Sequence, residues 1–132
     1  MPNAQRVDDR LLRRTPIRPL VLLAIDDDVA RARFAYELSA SGFDVALFVP
    51  TAARPSIIVA ALSPENRGGG LPAEIRTGDP RFRGIPVIAI APDASPTTRN
   101  LARREGCVAV CITTCSGATL AAGLRTVLDR TR

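Results

Sequence analysis

Three consecutive carboxylates, Asp26, Asp27 and Asp28, end the first long apolar run of the chain, Leu20 to Ile25. Hung on the C-terminal edge of a parallel sheet, such acids can collect a hard cation such as Mg²⁺ through oxygen ligands. The apolar run that should face them, Ser56 to Leu62, contains no acid at all. The chain also has no Lys and no His, which removes the usual phosphate-neutralising cation and the commonest general base. Asp26 and Asp27 alone make a weak Mg²⁺ site, because divalent oxygen sites generally need more ligands. A structural role competes with that reading. The same acids can serve as the cap and first-turn charges of a following helix, with Asp28 as the cap.

Two other groupings invite chemistry. Cys107, Cys111 and Cys115 are spaced every fourth residue, but the segment between them, Val108 to Ile112, reads as a short apolar strand. Their spacing departs from the CxxC signature of zinc sites, and there is no His to complete one, so buried structural cysteines are expected. Gly68, Gly69 and Gly70 form a loop that could cradle phosphate through backbone N–H groups. Without a glycine-spaced fingerprint or a following Lys, the simpler reading is a flexible tether.

These residues sit in a chain of 132 residues, long enough for one domain that buries roughly two-thirds of its unfolded surface. Hydrophobic residues make up 46% of the chain, which excludes wholesale disorder, and no apolar stretch approaches a membrane span. The N-terminal residues lack a signal-like apolar core, so a cytoplasmic location with no membrane association is expected. All 18 basic residues are Arg, and the net charge is +5. Much of that excess lies in residues 1–18, where Arg6, Arg10, Arg13, Arg14 and Arg18 outnumber Asp8 and Asp9. That segment reads as a flexible Arg-rich tail preceding a domain over 19–132. With a single Tyr, four Phe and no Trp, there is little to stack on bases, which argues against nucleic acid.

Continuous apolar runs at Leu20–Ile25, Ser56–Leu62, Ile85–Ala91 and Val108–Ile112 predict strands covered on both faces. Asp44–Val49 predicts an edge strand. Helical segments separate them. The first runs from Val29 to Ser41, with Val29, Ala32, Phe34, Ala35 and Leu38 as its apolar stripe and Gly42 as its stop. A short helix fits Gly70 to Thr77, with Pro72 in its first turn. Ser95 and Pro96 open a helix that ends before Gly106, and Ser116 caps a last helix, Gly117 to Arg130, striped by Leu120, Leu124, Val127 and Leu128. The connection from Val49 to Ser56 is too short for an ordinary crossover, so the second crossover helix is expected to be short or missing. One sheet face would then be thinly covered and open to docking or dimerisation.

With these elements in order, the chain resembles the receiver domains of bacterial two-component response regulators. Leu20 to Asp28 resembles the family's first strand and acidic pair, and Gly78 to Ile90 its third-helix exit and fourth strand. Arg104 to Val110 is similar to its approach to strand five, and Ser116 to Arg130 to its last helix. The resemblance implies an α/β flavodoxin-like three-layer sandwich with a five-stranded parallel sheet in the order 2-1-3-4-5. It also implies where phosphorylation chemistry would sit. Counting from Pro55 or back from Pro64 puts the acceptor Asp position at Ala61 or Ala60. The switch hydroxyl falls at Ala91 and the Lys at Thr113.

The expected function is therefore that of an atypical, pseudo-receiver signalling domain that lacks the phosphoacceptor and acts by protein contact. Its partners would be a histidine kinase, a response regulator or an output protein, or a second copy in a homodimer. The last helix and strand five, with Leu124 and Val127 as test positions, would supply the surface. No catalytic residues and no cofactor are expected, beyond weak Mg²⁺ at Asp26 and Asp27, and the chain is not expected to be an enzyme. The alternative is a flavodoxin-like domain that binds a small molecule or nucleotide between Gly68–Gly70 and Asp26–Asp28.

Overall fold

The computed structural model describes residues 18–47, 54–62, Pro72 and 80–131. In chain order the described elements are β1 (Leu20–Ala24), α1 (Asp28–Ala40), β2 (Asp44–Ala46), β3 (Ile57–Ala61), β4 (Val87–Ala91), α2 (Pro96–Arg104), β5 (Ala109–Ile112) and α3 (Gly117–Arg130). A 3-10 turn, Pro80–Phe82, precedes β4. The five strands form one parallel sheet in the order β2-β1-β3-β4-β5, as expected of a flavodoxin-like fold. The Arg-rich residues 1–17, the Gly68–Gly70 loop and most of the Val49–Ser56 connection lie outside the described residues. So does the segment expected as a short helix over Gly70 to Thr77, apart from Pro72, which is helical and buried.

Successive side chains of a strand point to opposite faces, and the central strands have apolar residues at every position because both faces are covered. On one face Val21, Leu23, Ile57, Val59, Ile88 and Ile90 pack against Phe34 and Leu38 of α1 and Leu120 and Leu124 of α3. On the other, Leu22, Ile58, Ala60 and Val87 meet Phe82 and Ile85. Farther along that second face, Leu62, Ala89 and Ala91 meet Ala102 of α2. Burying each of the larger side chains contributes about 1.5–3 kcal/mol.

The phase of α1 differs from the expected stripe. Ala30, Phe34 and Leu38 are buried, whereas Val29 is 78% exposed and Ala32 is also exposed. At 3.6 residues per turn, Val29 and Ala32 lie roughly 140° and 160° around the helix from Phe34, on its outer side. The cap differs as well. Asp27, not Asp28, is the N-cap, its carboxylate accepting from the Ala30 backbone N–H at 3.0 Å. At the other end the chain reverses through Gly42 at φ 101°, a left-handed conformation that a side chain would oppose. Arg18 ties this corner to β2, donating to the Asp44 carboxylate and to the carbonyls of Ser39 and Phe43, each at 2.9 Å.

Ser95 and Ser116 cap α2 and α3 as their sequence pattern suggests, accepting from Thr98 N at 3.3 Å and Thr119 N at 3.1 Å. Leu124, considered above as a surface test position, is fully buried in the α1/α3 layer, and Val127 is half-buried against it. Leu124→Ala is therefore expected to destabilise the domain by about 2–5 kcal/mol through lost burial and the cavity left behind. The midpoint of urea unfolding checks this, with the exposed Thr126→Ala as the control expected to stay within about 0.5 kcal/mol of the parent.

Candidate functional site

In an open parallel α/β sheet, ligands and chemistry gather outside the C-terminal ends of the strands. Strand register brings the residues singled out from sequence to that edge. Ala60 is level with Ala24 of β1 and Ala89 of β4, and Ala61 is level with Ile90. Ala91 ends β4 opposite Ile112, and its carbonyl accepts from Thr113 N at 2.8 Å. Asp26 and Asp27 follow β1 on the same edge. The edge thus assembles two carboxylates, three alanines and a threonine from four adjacent strands.

The acids are exposed, and two of the three are engaged. The Asp27 carboxylate caps α1. Asp28 pairs with the Arg31 guanidinium one turn along the helix, and that guanidinium also donates to the Ile25 carbonyl at 3.1 Å. A cation is thus already present at the mouth of the acidic edge, supplied by the chain itself. Among the described residues, no three His, Cys, Asp or Glu side chains are arranged to hold a metal ion. Ala60 and Ala91 are inaccessible to solvent and Ala61 is half-buried, so the floor of the edge is formed by methyl groups.

No family model matches the chain, and no curated protein matches it by sequence. Among solved structures it is similar to the chemotaxis response regulator CheY4 of Vibrio cholerae, with TM-score 0.68, 16% identity, and coverage of 84% of this chain and 99% of that one. A response regulator from Desulfuromonas acetoxidans superposes with TM-score 0.68 at 22% identity, covering 83% and 96% of the two chains. The receiver domain of a signal transduction histidine kinase from Syntrophus aciditrophicus gives TM-score 0.65 at 16% identity, covering 84% and 90%. The chain has the receiver fold.

On that fold the loop from β5 to α3 is held by α1 through contacts that local sequence patterns do not reveal. Arg33 donates to the carbonyls of Thr113 at 2.6 Å and Cys115 at 3.0 Å, and pairs with Glu37 at 3.4 Å. The Glu37 carboxylate in turn accepts from the backbone N–H of Gly117, the first residue of α3. One ion pair thereby satisfies two loop carbonyls and one orphan helix donor. The residues involved are 80 or more positions apart, and only the i,i+4 spacing of Arg33 and Glu37 hints at a role. A second feature missed from sequence lies just after β4. The Asp93 carboxylate accepts from the Thr98 hydroxyl at 2.6 Å and from Ser95 N at 3.0 Å.

Cys107, Cys111 and Cys115 form no disulfide and are half-buried. Burial pushes the Cys111 thiol above its ordinary range, and the neighbouring Cys115 reinforces this. Burial also raises Cys115, although the Arg33 guanidinium acts in the opposite direction. Both are thus held away from the thiolate that nucleophilic or metal chemistry requires. On the same domain, no described helix is long and apolar enough to cross a membrane.

Two outcomes are expected. A Cβ added at Gly117 would collide with the Cβ and carboxylate of Glu37. Gly117→Ala should therefore cost about 1–3 kcal/mol, read by thermal or urea unfolding, while the outward Gly123→Ala, with open space around it, should be neutral or stabilising. Hydrogen bonds from Thr98 and Ser95 lower the Asp93 pKa. A carboxyl lowered in the folded state adds stability above its unfolded pKa of about 4 and loses it as pH falls through the folded value. Asp93→Asn should accordingly shallow the acid limb of a stability-versus-pH curve below about pH 4, measured by urea midpoints across the acid range.

Proposed function

We propose that this receiver-fold domain is a signalling module that works by protein–protein contact without being phosphorylated. The observation that carries the reading is the composition of the C-terminal edge. Phosphoryl transfer at that edge needs an acceptor carboxylate, a metal held by several oxygens and a cation facing the transferred group, because charge must be neutralised as it develops. Ala60, Ala61, Ala91 and Thr113 offer no carboxylate and no cation at those positions, and the chain has no Lys to supply from elsewhere. Asp27 and Asp28 are committed to the cap and to Arg31.

Contact with a partner calls for exposed apolar area near the surface of β5 and α3. Val108 is 57% exposed and Ile112 is 37% exposed, both on or beside β5, whereas Leu124 belongs to the core. Histidine kinases, response regulators and output proteins are the partner classes that this fold suggests. The domain is a cytoplasmic module in this reading, without catalytic activity or a resident cofactor.

The test has two parts. Incubation with acetyl phosphate and Mg²⁺ should leave the intact mass unchanged, while a conventional receiver treated in parallel gains a phosphoryl group. Tagged protein should capture a signalling protein from its native lysate whether or not nuclease is added, and Val108→Asp with Ile112→Asp should abolish that capture with the fold intact. Phosphoryl uptake at any residue, or capture that depends on nucleic acid, would overturn the proposal.

A further inference from the structure

Two of the three thiols share one face of the sheet. Cys111 is on β5, level with Ile90, and its side chain packs against the core layer that β1, β3 and β4 form with α1 and α3. Cys115 lies past the strand yet packs against the same layer, because the chain turns back between them, with Cys115 N–H donating to the Ile112 carbonyl at 2.9 Å. That turn brings the two thiols together, close enough for Cys111 to hydrogen-bond the Cys115 sulfur. Cys107 precedes β5 and packs on the opposite face, so the sheet separates it from the pair.

Their surroundings give the two thiols different roles. Burial is the largest influence on each and raises both, which slows the reaction of either. Against that, the Arg33 cation and the hydrogen bond from Cys111 favour the thiolate of Cys115, with Glu37 opposing them. Cys111 has no such help, since Cys115 raises it further. Cys115 is therefore the thiol that attacks, and Cys111 the one that resolves. Among the described residues no third His, Cys, Asp or Glu joins the pair to hold a metal ion, so two adjacent sulfurs suit a disulfide better than zinc. In a reducing compartment, disulfides of this kind form transiently, in redox sensing.

We infer that Cys111 and Cys115 are a redox-modification site, which an external low-molecular-weight disulfide closes to an internal disulfide that fastens the β5–α3 loop where Arg33 holds it. The Cys115 thiolate attacks one sulfur of the reagent RSSR, forming a mixed disulfide and expelling RS⁻. The Cys111 thiolate then attacks the Cys115 sulfur, forming the internal bond and expelling the second RS⁻. The two thiol protons pass through solvent to the two leaving thiolates. The pair is thus oxidised by two electrons, and RSSR is reduced to two RSH. The Cys115 carbonyl already accepts from Arg33 at 3.0 Å, and Gly117 N–H already donates to Glu37, so the bond is added to a loop already seated. The site goes beyond the protein-contact reading and does not depend on it.

The probe is glutathione disulfide, added to the purified, reduced chain at a series of ratios to glutathione and at several pH values. Free thiols are then trapped with N-ethylmaleimide and the intact mass is read. The oxidised chain should lose about 2 Da and carry a maleimide only on Cys107, whereas the reduced chain carries one on each of its cysteines. Cys107→Ser should close as the parent does, Cys111→Ser should stop at the glutathione mixed disulfide on Cys115, and Cys115→Ser should react far more slowly. The rate should rise with pH as more Cys115 becomes thiolate, and closing the ring should raise the melting temperature by a few degrees. No internal bond at any ratio, a bond through Cys107, closure only in urea, or disulfide-linked dimers in its place would overturn the inference. So would a lower melting temperature in the oxidised chain, because the bond would then strain the loop it is inferred to fasten.

Discussion

Ile57, Ile58, Val59 and Ala60 are all inaccessible to solvent, so β3 has a packed layer against each face and a paired strand along each edge. A strand in that position can carry no polar side chain without a partner for it, since an unpaired charge there costs several kcal/mol. The same constraint aligns the sheet. β1 and β4 take their register from β3, α1 and α3 close one face, and the Phe82–Ile85 segment and α2 close the other. Everything at the C-terminal edge is placed by where this central strand stops. In a conventional receiver the resemblance puts a charged acceptor at that end; here the packing is completed by methyl groups.

The edge and the helix that begins beside it share their acids. Asp27 satisfies an orphan N–H of α1, and Asp28 is held by Arg31. Local structure thereby engages two of the three carboxylates, and Arg31 adds positive charge beside them. On the opposite side of the loop cluster, Arg33 and Glu37 extend the same helix's influence to the start of α3. α1 is therefore the element that fixes both the acidic edge and the β5–α3 loop.

Much of this architecture was readable before any coordinates, and the reasons are local. Runs such as Leu20–Ile25 and Ile85–Ala91 are too short for buried helices and too continuous for exposed strands, so they mark a doubly covered parallel sheet to within two residues. Ser95, Ser116, Gly42 and Gly106 punctuate the helices through capping and left-handed backbone, which depend on only a few neighbours. The stripe through Val29 and Ala32 gives the wrong phase for α1 because Ala and Val are weak markers of a buried face; Phe34 and Leu38 set the phase, and Val29 falls outside it. The Asp27 cap was displaced by one residue for a similar reason, since any of three adjacent aspartates could have filled the role. The Arg33 clamp joins segments 80 or more positions apart, and the i,i+4 spacing of Arg33 and Glu37 does not say which residues they hold.

The Arg33–Glu37 clamp carries a further consequence. It joins the loop after β5 and the start of α3 to α1 by three hydrogen bonds, braced by an ion pair within α1, and these contacts require no ligand and no modification. In the proposed reading, the neighbouring contact surface is held in this arrangement by the chain itself. Occupancy of such a surface obeys mass action alone. The cell would then set the output of this domain as it sets the dose of a titrating inhibitor, through synthesis and turnover, and the strength of the signal would be a count of molecules.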